Sequence, residues 1–357
     1  MGWRILQISK PCKLSVKNRR LVYEPFEEAS LTIPLEDISV VILENRQILL
    51  SNSLLSELPE YDIVLFTCDF SHLPSGVLFP FHTHSRYSQI AWLQRDISEP
   101  LKKRLWQEVI KAKINNQAAA LEILNKSNAG KLREIAKLVQ SGDTKNSEAF
   151  AAGIYWKSFF TDFNRSDDDD IRNASLNYGY AVLRGCMARS VVGAGLLPCF
   201  GIHHANKLNQ FNLVDDLIEP FRPFVDYVVA KLSLSENKQL NVELKNRILQ
   251  VLGMNCRLRG EDVNLLKSCE MPGQGNDRKK SFRVKIAGHG KRNVFVVRLW
   301  ISGQGRRKIY ADDRLFRPAD LNQNRPAQRE SLEEFPAEGR LYHVAVVRLF
   351  PHLQRAG

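Results

Sequence analysis

The sequence predicts an α+β fold, because the hydrophobic rhythm changes along the chain. Over the first eighty residues, short β-branched or alternating apolar segments are separated by turn-prone residues. From about residue 95 to 270, apolar residues recur at i, i+3, i+4 and i+7, the spacing of amphipathic helices. A chain of 357 residues is long enough for two domains and a sizeable core. The expected organisation is a small N-terminal β-sheet or β-sandwich domain (1–78), a linker (79–95), an all-α domain (96–270) and an atypical basic tail (271–357).

In order, WRILQIS, KLSVK, RLVYE, LTIP and DISVVILE read as strands. Ser51 and Ser53 offer N-caps to a short helix at LLSEL, and DIVLFTCD follows as a buried strand. Gly, Pro and Ser in SGVLFPFHTHSRYSQ mark the linker. Helices are expected at EPLKKRLWQEVIKAKINNQAAALEIL, KLREIAKLVQ, SEAFAAGIYWKSFF, DIRNASLNYGYAVLRGCMARSVVGAG, DDLIEPFRPFVDYVVAKL and NVELKNRILQVLG. The Asp run 167–170 reads as a solvated, helix-initiating loop. In the tail, RNVFVVRLW and LYHVAVVRLF are strand-like runs amid Gly, Pro and Gln.

The chain has no apolar run of bilayer length and no signal-peptide pattern, and Leu6 replaces the Ser/Thr of a myristoylation motif, so a cytoplasmic protein is expected. Six cysteines without a C-x-x-C pair argue against a zinc ribbon and, in that compartment, against disulfides. The formal charge of +12 suggests an anionic partner. Most of it lies in the tail, where 18 Lys+Arg stand against 8 Asp+Glu, including 13 Arg against 5 Lys. That shift supports two readings: a basic interaction appendage, or the translation of a shifted reading frame after about Glu270.

The stretch GIHHANKLNQFNLVDDLIEPFRP carries chemistry-bearing residues closely spaced. Asp216 and Glu219 are i, i+3 on an expected helix, Asp215 and Glu219 are i, i+4, and His203 and His204 precede them. Upstream, Glu148 opens a helix beside IYWKSFF. One histidine with carboxylates from separate helices makes an oxygen-rich site suited to Mg²⁺ or Mn²⁺. Such a metal can activate an oxygen nucleophile and neutralise charge on a phosphoryl group. Each residue also has an ordinary structural reading: Asp215 and Asp216 as helix-start acids, Glu148 as a first-turn acid, the histidines as satisfied core groups. His82 and His84 have the alternating spacing of a strand-borne ligand pair, but no carboxylate or cysteine stands near them in sequence.

The β region beginning WRILQISKPCKLSVKNRRLVY, the passage into AWLQRDI, and the blocks NSEAFAAGIYWKSFF, NASLNYGYAVLRG, GAGLLPCFGIHH and FNLVDDLIEPFRPFVD resemble the CRISPR-associated integrase, the larger spacer-acquisition subunit in its type II version. The resemblance runs to about Glu270. It implies that the α domain is catalytic and that the protein is a metal-dependent DNA integrase and endonuclease. Captured DNA would be inserted into the CRISPR array by 3′-OH attack on a repeat phosphodiester. It implies Glu148, His204 and Glu219 as catalytic metal ligands for Mg²⁺ or Mn²⁺, with Asp216 as an accessory carboxylate. The implied partners are double-stranded DNA (prespacer and CRISPR repeat), a second copy in a homodimer, and a small adaptation subunit completing a heterohexamer. No membrane partner is implied. Asn177, Tyr180 and Arg184, spaced for one helical face, together with Lys157 and Arg222, are candidate DNA contacts. Where the family continues with helix after LLKSCE, this chain reads MPGQGNDRKK, which leaves a catalytically impaired DNA-binding scaffold subunit as the alternative.

Overall fold

A computed structural model describes residues 4–81, 87–232, 234, 239–258 and 261–269. His82, His84, the basic tail and its strand-like runs lie outside the described residues.

Two four-stranded sheets form the N-terminal region. In the first, β1 (Arg4–Ile8), β5 (Ile38–Leu43) and β7 (Val64–Cys68) run parallel, with β8 (Pro74–Val77) antiparallel at the edge. In the second, β4 (Leu31–Pro34), β3 (Arg20–Pro25) and β2 (Cys12–Lys17) pair antiparallel, and β6 (Leu49–Leu50) joins β2 in parallel. The expected short helix is α1 (Asn52–Glu57), and Ser51 caps it by accepting from the Leu54 N–H at 3.3 Å. β6 and β8 are too short and weakly patterned to stand out in sequence.

Side-chain alternation gives the first sheet two buried faces. Leu6, Ile8, Val41, Leu43 and Leu65 pack with Leu14, Leu21, Tyr23 and Ile33 of the second sheet, making a β-sandwich. Ile5, Val40, Ile42, Val64 and Phe66 point the other way, into a core built mainly by helices. Every residue of β5 is buried, which is why ISVVIL reads as a continuous apolar run rather than an alternating one.

Helices follow: α2 (Tyr87–Arg95), α3 (Glu99–Ile123), α4 (Ala129–Leu138), α5 (Ser147–Phe159) and α6 (Ile171–Gly193). Next come α7 (Asn212–Ile218), α8 (Arg222–Ala230), α9 (Val242–Leu249) and the four-residue α10 (Leu265–Ser268). α6 begins at Asp170, whose carboxylate accepts from the Arg172 N–H at 2.8 Å, so the Asp run does initiate a helix. The helix packs directly on the sheet: a Cβ at Gly185 would fall 2.0 Å from Phe66 Cε1. Among the described residues, no helix is long and apolar enough to cross a membrane.

Three sequence expectations need correction. Residues 87–95, read as linker, form α2, and its Gln94 is buried against the loop after α6. The region 96–270 is not wholly helical, since β9 (Asn255–Leu258) and β10 (Glu261–Asn264) form an antiparallel hairpin. DDLIEPFRPFVDYVVAKL is not one helix either. Pro220 and Pro223 lack the amide hydrogens a continuous helix needs, so α7 gives way to a 3₁₀ turn at Glu219–Phe221 before α8 restarts.

Candidate active site

Two carboxylates from separate elements meet on one cation. Lys113 Nζ, from α3, lies 2.5 Å from Glu148 Oε1 and 2.5 Å from Glu219 Oε2. Glu148 stands on the first turn of α5. That turn is held by Asp143, whose two oxygens accept the Ser147 and Glu148 N–H groups at 2.9 Å each. Glu219 opens the 3₁₀ turn, with Arg222 Nε 2.8 Å from its Oε1 and Asn116 donating to the adjacent Pro220 carbonyl at 2.7 Å. Burial alone would push the Glu219 carboxyl up, but Lys113 and Arg222 beside it hold it below the ordinary carboxylate value. Burial would likewise lower Lys113, yet the two glutamates keep its ammonium above the usual lysine value.

His204 is presented by a turn built around Asp216. The fully buried Asp216 carboxylate accepts the backbone N–H groups of Ile202 (2.5 Å), His203 (2.9 Å) and His204 (3.2 Å). It also lies 2.6 Å from His204 Nδ1. With the ring proton on Nδ1 donated to that carboxylate, Nε2 carries the lone pair. The same hydrogen bond holds the imidazole pKa above its ordinary value. Gly201 is required at the start of the turn, because a Cβ there would fall 2.2 Å from the His204 carbonyl oxygen and 2.9 Å from Asp216 Oδ2. Trp106 of α3 supports the turn from below, stacked on His203 with ring centroids 4.2 Å apart and edge-on to His204. Gln94 holds the preceding loop: its Nε2 donates to Leu197 O (2.8 Å) and Phe200 O (3.1 Å), and its Oε1 accepts from Leu197 N (2.9 Å).

His204 and Glu219 line a cleft of about 390 Å³ together with Arg165, Asn177, Tyr180, Arg184, Asp215 and Arg222. Four of the five candidate DNA contacts therefore share one cleft with two of the triad residues. In the DNA-free protein the polar groups of these four have protein partners. Arg184 is paired with Asp215 at 2.6 Å and packs over Phe211, so Asp215 serves as its counter-ion and not as a helix cap. Arg222 is committed to Glu219. The Tyr180 hydroxyl donates inward to Asp226, and the guanidiniums of Arg165 and Arg222 lie over its ring, 5.7 and 4.7 Å from the centroid. Asn177 accepts from Arg165 at 2.6 Å. Lys157 is exposed two turns further along α5 and does not line the cleft.

The donor set has the chemistry a hard divalent cation takes: two carboxylates drawn onto one positive charge, and an imidazole whose other nitrogen is tied to a carboxylate. Among the described residues, no three His, Cys, Asp or Glu side chains are gathered closely enough to hold a metal as they stand. The ammonium of Lys113 lies between the two glutamates instead.

Sequence reasoning missed Lys113, Trp106, Asp143 and Gln94. Trp106 and Lys113 are seven residues apart, hence on one helical face, but no local pattern separates that face from ordinary bundle packing. The Cys12 and Cys186 thiols are buried, and burial pushes them up to about 11 and about 12, whereas Cys199 is exposed.

A β-sandwich packed on a helical domain is a fold this chain shares with solved structures. A casposase bound to integration product superposes with a TM-score of 0.62 at 19% identity, covering 75% of this chain and 88% of that one. A Cas1 protein from Thermotoga maritima gives 0.56 at 17% identity over 70% and 89%. The chain belongs to the family of CRISPR associated protein Cas1, whose model matches residues 6–251. The CRISPR-associated endonuclease Cas1 of Neisseria meningitidis is 46% identical over 254 residues, 71% of this chain and 82% of that protein.

Proposed function

We propose that this protein is a metal-dependent integrase and endonuclease of CRISPR adaptation, with Glu148, His204 and Glu219 as its catalytic metal ligands. The observation that carries this reading is the convergence of Glu148 and Glu219 on a single positive charge at 2.5 Å, beside a cleft that presents His204. Mg²⁺ or Mn²⁺ held by these three side chains would neutralise charge on the scissile phosphate and favour the ionised 3′-OH. Asp216 fixes the imidazole so that Nε2 is the free nitrogen and orders the turn that aims it. Arg222 holds Glu219 in its ionised form. Arg165 and the Tyr180 ring border the cleft along which a DNA end would lie, and Arg184 could exchange Asp215 for a phosphate.

In the reaction, the 3′-oxygen of the captured DNA forms a bond to a repeat phosphorus. The bond from that phosphorus to the 3′-oxygen of the target strand breaks, the attacking hydroxyl gives its proton to solvent, and the departing 3′-oxygen takes one up from solvent. The substrates would be prespacer and repeat duplexes. The working assembly would be a homodimer joined by a small adaptation subunit into a heterohexamer, in accord with the family resemblance. The test is Mn²⁺-dependent joining of a 3′-OH DNA end to a repeat-containing target, with and without that small subunit. Glu148→Ala and His204→Ala should each reduce joining by at least about 10³-fold while the protein stays folded. Joining unaffected by either substitution removes these residues from the mechanism.

A DNA-binding scaffold without catalysis is the second reading, favoured by the absence of a gathered three-donor set among the described residues. It predicts DNA binding and partner binding by the wild-type protein with no joining in any divalent metal.

A further inference from the structure

We propose that Lys113 is the site's resident cation: its ammonium holds Glu148 and Glu219 together in the metal-free protein and is displaced when a divalent cation binds. This rests on the reading of those glutamates as metal donors.

The geometry leaves little room for another account. Lys113 Nζ is 2.5 Å from one oxygen of each glutamate, and its side chain is only 13% exposed. Glu219, at 8%, is as deeply enclosed and is the better charge-compensated of the pair, having Arg222 on its other oxygen. Without Lys113, two carboxylates would face each other across a poorly solvated gap, and their repulsion would spread them or force one to take up a proton. Lys113 therefore keeps the donors close before metal arrives.

The same oxygens cannot serve both cations. A divalent metal takes carboxylate oxygens at about 2.0–2.2 Å and repels an ammonium strongly at the short separation a shared oxygen would impose. Metal entry is thus an exchange, and the apparent metal affinity is reduced by whatever Lys113 contributes to the metal-free state. Lysine suits this role, because a single charge on a four-carbon stem can withdraw by rotamer change alone. Neighbouring side chains keep α3 in place as it does so: Trp106 is stacked under His203 and Asn116 is bonded to Pro220 O.

The experiment is Mn²⁺ binding to full-length protein by titration calorimetry, comparing wild type, Lys113→Gln, Lys113→Arg and Glu148→Ala. Lys113→Gln should bind Mn²⁺ at least about tenfold more tightly, because the competitor is gone, and Lys113→Arg should stay near wild type. Equal or weaker binding by folded Lys113→Gln overturns the proposal. Wild-type affinity in Glu148→Ala instead overturns the metal-donor reading itself, so the two failures are distinguishable.

Should Lys113→Gln unfold, the wild-type chain decides the question. Its ¹⁵N lysine-ammonium resonances are followed during a Mg²⁺ titration, with the Lys113 signal identified by its loss in Lys113→Arg. That signal should shift saturably as the metal binds. A Lys113 signal unmoved at saturating Mg²⁺ overturns the exchange.

Discussion

Among the described residues, Lys113 and Lys245 are both enclosed by glutamate, and they differ in what lies beside them. Lys245 of α9 pairs with Glu44 at 2.8 Å, with exposures of 5% and 2%, and also donates to the His72 carbonyl at 3.1 Å. One charge meets one charge, and the pair ties α9 to the end of β5 in the first sheet. Lys113 instead serves two carboxylates at once, and one of them, Glu219, also lines an open cleft. A matched, sealed pair is an element of architecture. A shared cation at a cleft wall is an exchangeable one.

The largest effect that would sharpen this contrast lies at the cleft. Asp216→Asn places an amide where Ile202, His203 and His204 donate, so the turn loses acceptors it cannot replace. Joining should fall at least about 100-fold and stability by roughly 2–4 kcal/mol in denaturant titration. Near-normal joining would mean that His204 does not depend on this carboxylate.

Breaking the sealed pair should behave differently. Lys245→Met strands Glu44 as a buried, unpaired charge and should cost about 3–5 kcal/mol. No divalent metal should restore that loss, because a single enclosed carboxylate offers no ligand set. Recovery of the melting temperature with Mn²⁺ would erase the distinction between the two centres.

A further carboxylate, Asp226, lies behind the cleft, bonded to the hydroxyl of the cleft-lining Tyr180. Tyr155 of α5 and Tyr180 of α6 donate to it, and Arg222 and Lys113 are the nearby cations. Complete burial pushes it up to about 6 despite those favourable partners. With the folded value above the unfolded one, its stabilising contribution is fully present below about pH 4 and is lost as pH rises through 6. Asp226→Asn should therefore gain stability relative to wild type between pH 4 and 6, by roughly 1–3 kcal/mol, with a plateau above. A difference that does not vary with pH would show that the carboxyl is not titrating there.

The smallest expected effect is at Gln94. Gln94→Ala removes three hydrogen bonds from the loop before the histidine turn, costing about 1–2 kcal/mol and lowering joining severalfold. Gln94→Glu, which keeps the acceptor but loses the donors, should fall as far in joining. Loss of stability without loss of joining would make the clasp purely structural.

Much of the fold is legible in residues 4–81, where alternation separates the two faces of each strand and the unbroken ISVVIL marks the strand covered on both. The helices are legible from periodicity. Their interruption at Pro220 and Pro223 has a local signal, yet the apolar pattern runs through it and hides the break. Glu148, His204, Asp216 and Glu219 each have an ordinary local reading, and it is the family resemblance that singles them out together. In KAKINN, by contrast, Lys113 cannot be told from a solvated helix lysine.

The sequence by itself thus determined the fold class and nominated the chemistry, because hydrophobic period and donor type are local properties of the chain. The tertiary structure alone decided the partners. Contacts between residues 35 positions apart (Lys113 and Glu148) and 103 apart (Gln94 and Leu197) depend on how helices cross. Burial then sets what each charge is worth. The same lysine side chain becomes a sealed strut at 245 and a cation shared by two carboxylates at 113, solely through the elements packed around it.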